Sequence, residues 1–464
     1  MGERTVEQAN PLGYEKLSRL LKGYAIPSVV AMLVSSLYNI VDQIFIGQGV
    51  GYLGNAATNV SYPLTTICLS IALLIGIGSA SQFSLQLGAK EEENAARTVG
   101  TAVAMMIASG ILYFILIEIF LHPLLNIFGA TADVIPYAES YTRITAVGMP
   151  LLIVMNGMSN LARADGSPKY SMACMLTGAL INTILDPIFI FVFDMGVAGA
   201  AWATVLGQVA SFAMALNYIR KFKHVRLKKE YFRLKWKEGL IIASLGMSNS
   251  LTQLALTFVQ IVLNNSLKYY GAQSIYGSEI PLASCGIVMK TNAILLAVII
   301  GISQGSQPII GFNYGAKQYE RVRGIYKLAI TCDLVISAVG FLLFQLCPGQ
   351  IVAVFGSVDD ALYYEFAIKF MRIFLFMVII NGVQMLSSNF FAAIGKPMKG
   401  ALLSLTRQVL CLIPLILILP LFLGIDGILF AGPFADGIAF LITTIFISRQ
   451  MKQIRQMEKA VQTI

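Results

Sequence analysis

The stretch "SLYNIVDQIFIGQG", residues 36–49, places a single acid, Asp42, inside an otherwise apolar run. The chain around it is 57% hydrophobic and 12% charged, with mean hydropathy +0.74. Ordinary soluble domains are roughly 45–50% apolar and about 25% charged. A soluble fold would need one core far larger than domains build, with too little polar surface to cover it. The run is therefore read as a membrane span, and the chain as an all-α integral membrane protein.

Other classes fall away on the same composition. The net charge of +9 resides between apolar runs rather than along a helix interleaved with aromatics, so nucleic acid is not expected as a partner. The six cysteines form no CxxC pair and no zinc-like spacing, and read as small packing residues. The N-terminal start is polar and amphipathic, without a short apolar region and small-residue cleavage site, so the first span is expected to target the chain.

A span needs about 20 mainly apolar residues to cross roughly 30 Å of hydrocarbon. Twelve are predicted: 24–47, 57–83, 98–121, 137–161, 170–193, 198–220, 239–267, 281–307, 325–346, 362–388, 399–422 and 427–448. Lys and Arg fall at the N-terminus, in every even-numbered loop (Arg163 and Lys169 in the fourth) and at the C-terminus. The odd-numbered loops carry only Lys268. Both termini are thus expected in the cytoplasm of a multi-pass cell (inner) membrane protein. A missed span would invert the alternation downstream, so the pattern also supports the count.

The chain repeats once. "GSASQFSLQLGAK" from Gly78 answers to "GSQPIIGFNYGAK" from Gly305, "GSPK" from Gly166 to "GKPM" from Gly395, and "MGVAGA" from Met195 to "LGIDGI" from Leu423. All three pairs share a period of about 228 residues. An even number of spans per repeat makes the halves parallel, so two six-helix lobes, 1–220 and 239–464, are expected to face each other across a central cavity. The basic stretch 221–238 reads as a cytoplasmic inter-lobe linker.

An Asp at a span centre costs about 2.5–3.5 kcal/mol, so each such acid needs a partner or a task. At 1.5 Å per residue, Asp42 lies about 27 Å and Asp186 about 24 Å up their spans, and Thr204 roughly 21 Å. Asn182 shares a helix face with Asp186. Two carboxylates, an amide and a hydroxyl in one layer suit a hard cation or a shared proton. The residues alone also allow two unrelated interfacial acids, Asp186 simply preceding a kink at Pro187. In the second lobe, depth pairs Lys290 with Asp436 and Arg407 with Asp333. These four are read as structural pairs, or else as a secondary proton or substrate site.

Together, "SLYNIVDQIFIGQG", the repeated "GSxxxxxxxxGAK" element and twelve spans in two parallel halves resemble the multidrug and toxic compound extrusion family, in its bacterial multidrug-efflux branch. The resemblance implies a cation or proton site at Asp42, Asn182, Asp186 and Thr204. Residues 239–267 lack the acid that some members carry for a site in the second lobe. It further implies a secondary antiporter that exports amphipathic, cationic small molecules in exchange for H+ or Na+ by alternating access. Ser35, Tyr38, Asn39, Asn156, Gln304 and Gln307 are the polar candidates to line its cavity. No cofactor is expected beyond the coupling ion, no metal beyond Na+ at that site, and a monomer in the lipid bilayer is the expected state.

Two rival functions fit the residues less well. A lipid-linked oligosaccharide flippase of the same superfamily should hold diphosphate on clustered arginines, but Arg143, Arg372 and Arg407 lie in different spans at dissimilar depths. An intramembrane aspartyl enzyme using Asp42 and Asp186 lacks a GxGD stretch, and the only histidines, His122 and His224, read as loop residues. The chain is not expected to be an enzyme.

Overall fold

A computed structural model describes residues 10–355 and 361–462, among which there are helices and no strands. The polar start at 1–9 and the ends of the expected lobes at 463–464 lie outside them. The first half contains α1 (Leu17–Val50), α2 (Tyr52–Gly88), α3 (Glu92–Ile127), α4 (Ile135–Ala164), α5 (Pro168–Pro187) and α6 (Gly196–Tyr218). The second begins with α7 (Trp236–Ala272), α8 (Glu279–Gly315) and α9 (Tyr319–Leu346). It continues through α10 (Pro348–Phe355), α11 (Ala361–Phe374), α12 (Val378–Ala393), α13 (Pro397–Leu405), α14 (Ile413–Ile418), α15 (Pro420–Leu423) and α16 (Ile425–Gln462).

Eleven stretches are long and apolar enough to cross a membrane, and α11 with α12, bent by 50° at their junction, make a twelfth. Helices are the solution because hydrocarbon offers no partners to backbone N–H and C=O groups. Most run past the predicted limits, since polar turns continue the same hydrogen-bond ladder beyond the hydrocarbon. The α11–α12 break, the short α10 and the placement of His122 inside α3 were not anticipated. Two spans contain a wide π turn beside a proline: Ile188–Val192 after Pro187, and Thr406–Leu412 before Pro414. A proline removes a backbone donor, and the ladder accommodates the loss by widening locally.

The repeated "GAK" element is a helix end. Lys90 and Lys317 both adopt left-handed backbone, φ 62° and 57°. This lets Glu91 N–H reach Gln86 O at 2.9 Å and Gln318 N–H reach Asn313 O at 2.8 Å, closing the last turns of α2 and α8. The glycines two residues earlier serve packing between the halves. A methyl group on Gly88 would strike the Phe312 carbonyl oxygen, and one on Gly315 the Leu85 carbonyl oxygen. The contacts of Gly78 and Gly305 are likewise reciprocal: Gly78 abuts Ile242 of α7, and Gly305 abuts Ala25 of α1. α2 thus crosses α7 and α8 as α8 crosses α1 and α2, related by a pseudo-two-fold axis.

The hydrogen bonds between the halves among the described residues run from the middle of the spans, at Ser70 and Ser250, to the end that carries both termini. Arg163 Nη1 donates to Gln304 Oε1 at 2.9 Å, Gln307 Nε2 to Ser81 Oγ at 2.6 Å, and the Ser70 and Ser250 hydroxyls meet at 2.6 Å. At the same end Thr101 Oγ1 donates to Glu238 at 2.9 Å. This end is sealed by backbone approach and polar bonds together.

The linker is pinned where it begins. Fully buried Asp165 accepts from Tyr218 Oη at 2.8 Å, from the backbone N–H groups of Lys223 and His224 at 2.7 and 3.1 Å, and lies 3.0 Å from His224 Nδ1. The link from α6 to α7 therefore leaves the first half at a fixed point.

Candidate functional site

Near the end opposite the termini, α1, α5 and α6 bring four polar side chains together. Gly178 and Gly207 set the spacing of α5 and α6, since a methyl group on Gly207 would lie 2.6 Å from the Gly178 carbonyl oxygen. One turn along, that approach lets Asn182 Nδ2 donate to Thr204 Oγ1 at 3.2 Å. The same nitrogen lies 3.3 Å from Asp186 Oδ1. On the other side, Gly49 leaves room for Ile190 and Phe191, so α1 packs on the π turn that follows Pro187. Ile46, Ile190, Val197 and Ala200 form a small apolar cluster there, and Phe45 meets Phe191 edge-on at 6.3 Å between centroids.

That seating sets the Asp42 carboxyl beside that of Asp186, with Tyr38 one turn before Asp42 on α1 and Tyr141 packed against the same apolar cluster. Asp186 is fully buried, Asn182 is buried and Asp42 half-buried. Asp42 Oδ1, Asn182 Oδ1 and Asp186 Oδ2 are buried oxygens with no protein donor. Two neighbouring carboxyls repel when both are ionised, so their company calls for a proton or cation between them. The oxygens present suit a proton or a small hard cation equally. No grouping of three or more His, Cys, Asp or Glu side chains suited to a transition metal occurs among the described residues.

The expected cavity residues divide. Ser35 and Asn39 lie on α1, where Asn39 is exposed and donates to the Ser35 carbonyl oxygen at 2.6 Å. Tyr38 belongs with the carboxyl pair rather than with a separate wall. Asn156 is half-buried, its carbonyl oxygen accepting from Asn160 at 2.9 Å. Gln304 and Gln307 depart from expectation: both are buried in the seal between halves, because α8 turns that face toward Arg163 and Ser81.

The second-half charges are paired otherwise than depth suggested. Arg407 Nε binds Asp436 Oδ1 at 2.5 Å, with both side chains nearly buried. Lys290, expected against Asp436, is exposed, and Asp333, expected against Arg407, has no hydrogen-bond partner on either oxygen. Depth arithmetic ignores the azimuth of a side chain, and the π turn at Thr406–Leu412 rotates Arg407 toward α16.

Arg163, a loop cation by sequence, is 3% exposed in the last turn of α4, has no carboxylate partner and bonds across the halves. Asp165 and Tyr141 were also overlooked. For Asp165 a signal existed, an acid immediately before the glycine of "RADGSPK", at a helix end that needs a cap.

Comparison with known proteins bears on the family and the fold. The MatE family model matches residues 27–188 and 248–418, one stretch in each half. The Multidrug export protein MepA of Staphylococcus saprophyticus is 25% identical over 445 residues, covering 94% of this chain and 95% of its own. The protein of the same name from Staphylococcus aureus N315 is 26% identical over 425 residues, covering 91% and 92%. Among solved structures, a multidrug resistance MATE family transporter of the MOP superfamily, described as outward-facing, superposes with TM-score 0.90 at 22% identity, covering 98% of this chain and 100% of that one. A MOP superfamily transporter from Pyrococcus furiosus gives 0.89 at 22% identity, covering 96% and 98%. At that identity the likeness is one of fold.

Proposed function

The chain belongs to the MatE family, and from that premise we propose that it is a secondary multidrug antiporter of the cell membrane. It exports amphipathic, cationic small molecules in exchange for inward H+ or Na+. The observation that carries the reading is the Asp42–Asp186 carboxyl pair, held with Asn182 and Thr204 at the end opposite a sealed lobe interface.

In this reading Asp42 and Asp186 take the coupling ion. Asn182 and Thr204 orient Asp186, and Tyr38 and Tyr141 shield the pair. The lobes 1–220 and 239–464, joined by 221–238, alternate between opening at one end and at the other. The basic end faces the cytoplasm by the distribution of Lys and Arg, so the sealed state described above is the outward-facing one. An ion drives this exchange only by binding the two states with unequal free energy. A site built from three helices changes its oxygen set when α1 shifts against α5 and α6, which supplies that inequality.

The flippase alternative loses ground because Arg407 is bound to Asp436 and Arg372 is exposed, so neither belongs to an arginine cluster. Purified protein in proteoliposomes under an imposed sodium or pH gradient, with efflux of a fluorescent cation followed, tests the proposal. Efflux driven by one of the gradients is expected. Indifference to both contradicts it.

A further inference from the structure

Asp333 is the one carboxylate among the described residues with both oxygens buried and unpartnered. It is 1% exposed and sits about 21 Å from the start of α9, midway along the helix. Tyr326, Ala329, Asp333, Ser337 and Gly340 form the buried stripe of α9, while Leu334, Val335 and Val339 face outward. Two contacts with α12 bracket the acid. On one side Tyr326 Oη meets Ser387 Oγ at 2.8 Å. On the other, Gly382 of α12 packs over Ser337, whose hydroxyl is also buried without a partner, and against Ile299 of α8. The side-chain oxygen of Asn381, beside that glycine, is likewise unpartnered.

No cation neutralises this acid. The titratable groups near it on α9 are Tyr326 and Cys332. Lys290 on α8 is exposed, as are Glu365 and Arg372 on α11, and α12 carries no charge. Lys369 on α11 is bound to Asp426 at 2.6 Å, and Asp436 on α16 to Arg407. An ion held so far from water without a partner costs several kcal/mol, so Asp333 is held at low cost only as a neutral carboxyl that has bound a proton.

α8 is the wall between this acid and the lobe interface. Ile299 faces the Ser337 layer, while Gly301 rests on Val29 of α1 and Gln304 takes the Arg163 bond. Any separation of α8 from α1 disturbs both faces.

We propose that Asp333 is a second proton-binding site, loaded and emptied as α8 moves against α1 during the cycle. The assignment rests on the antiporter reading and adds one proton to its stoichiometry. The test uses the full chain in proteoliposomes, membrane potential clamped at zero, with tetraphenylphosphonium as the probe. The concentration ratio at which net flux vanishes is measured under a tenfold proton gradient. Loss of one exchanged proton in Asp333→Asn lowers that ratio about tenfold, and Asp333→Glu, which keeps the carboxyl, retains the wild-type ratio. Infrared difference spectra on probe binding should show a carboxyl C=O band that Asp333→Asn lacks. A wild type that responds to protons while Asp333→Asn keeps its ratio overturns this assignment alone. Loss of the ratio in Asp333→Glu, or a ratio that follows sodium instead, also overturns it. A wild type indifferent to the proton gradient overturns the assignment and removes proton coupling from the antiporter reading.

Discussion

Arg163 and Gln304, on α4 and α8, share a 2.9 Å hydrogen bond across the two halves, and that buried guanidinium has no carboxylate to answer it. The amide holds the seal without making it permanent. Replacing it by a carboxylate in Gln304→Glu should strengthen the contact by about 1.5 kcal/mol. If opening of the seal limits turnover, export slows about tenfold. Fluorescent labels at the two ends, read for the rate of alternation, check this, and an unchanged rate removes the bond from the seal.

The α5–α6 approach predicts a distal effect on the ion site. In Gly207→Ala the new methyl group meets the Gly178 carbonyl, a backbone atom that cannot rotate away. The helices must part, at a cost of about 1–3 kcal/mol, and Thr204 leaves Asn182. Coupling-ion affinity, read from the gradient dependence of efflux, should fall while binding of the exported cation changes little. Wild-type gradient dependence would show that Thr204 is not part of the site.

The Arg407–Asp436 pair predicts a stability effect with a diagnostic rescue. Arg407→Met leaves a buried acid alone and should destabilise the protein by about 3–5 kcal/mol, whereas Arg407→Met with Asp436→Leu should recover most of the loss. Thermal unfolding in detergent distinguishes the two. A double variant no better than the single would mean that the charge at Asp436 is wanted for something besides Arg407.

The spans were legible in the sequence because apolar runs of about 20 residues suit spanning helices rather than the shorter strands of a barrel, and because Lys and Arg mark one side of the membrane. The grouping of Asp42, Asn182, Asp186 and Thr204 was legible for a related reason: acids within spans are rare, and three segments placed polar groups at one depth. What stayed hidden depends on rotation about a helix axis. Depth alone set Lys290 against Asp436, whereas Arg407, inside the π turn at Thr406–Leu412, takes that acid instead. Gln304 and Gln307 resembled cavity residues until α8 was seen to present them to α4 and α2. The repeated glycines were visible as a motif, but their reciprocal packing at Gly88 and Gly315 belongs to tertiary structure.

In the proposed antiporter, Asp42 and Asp186 convert an ion gradient into export. Asp42→Asn keeps the shape and removes the charge, so in proteoliposomes it should still exchange labelled for unlabelled cation across the membrane. It should, however, accumulate none against a gradient when sodium or protons are supplied as the driving force. Gradient-driven accumulation by Asp42→Asn at the wild-type level would contradict the account.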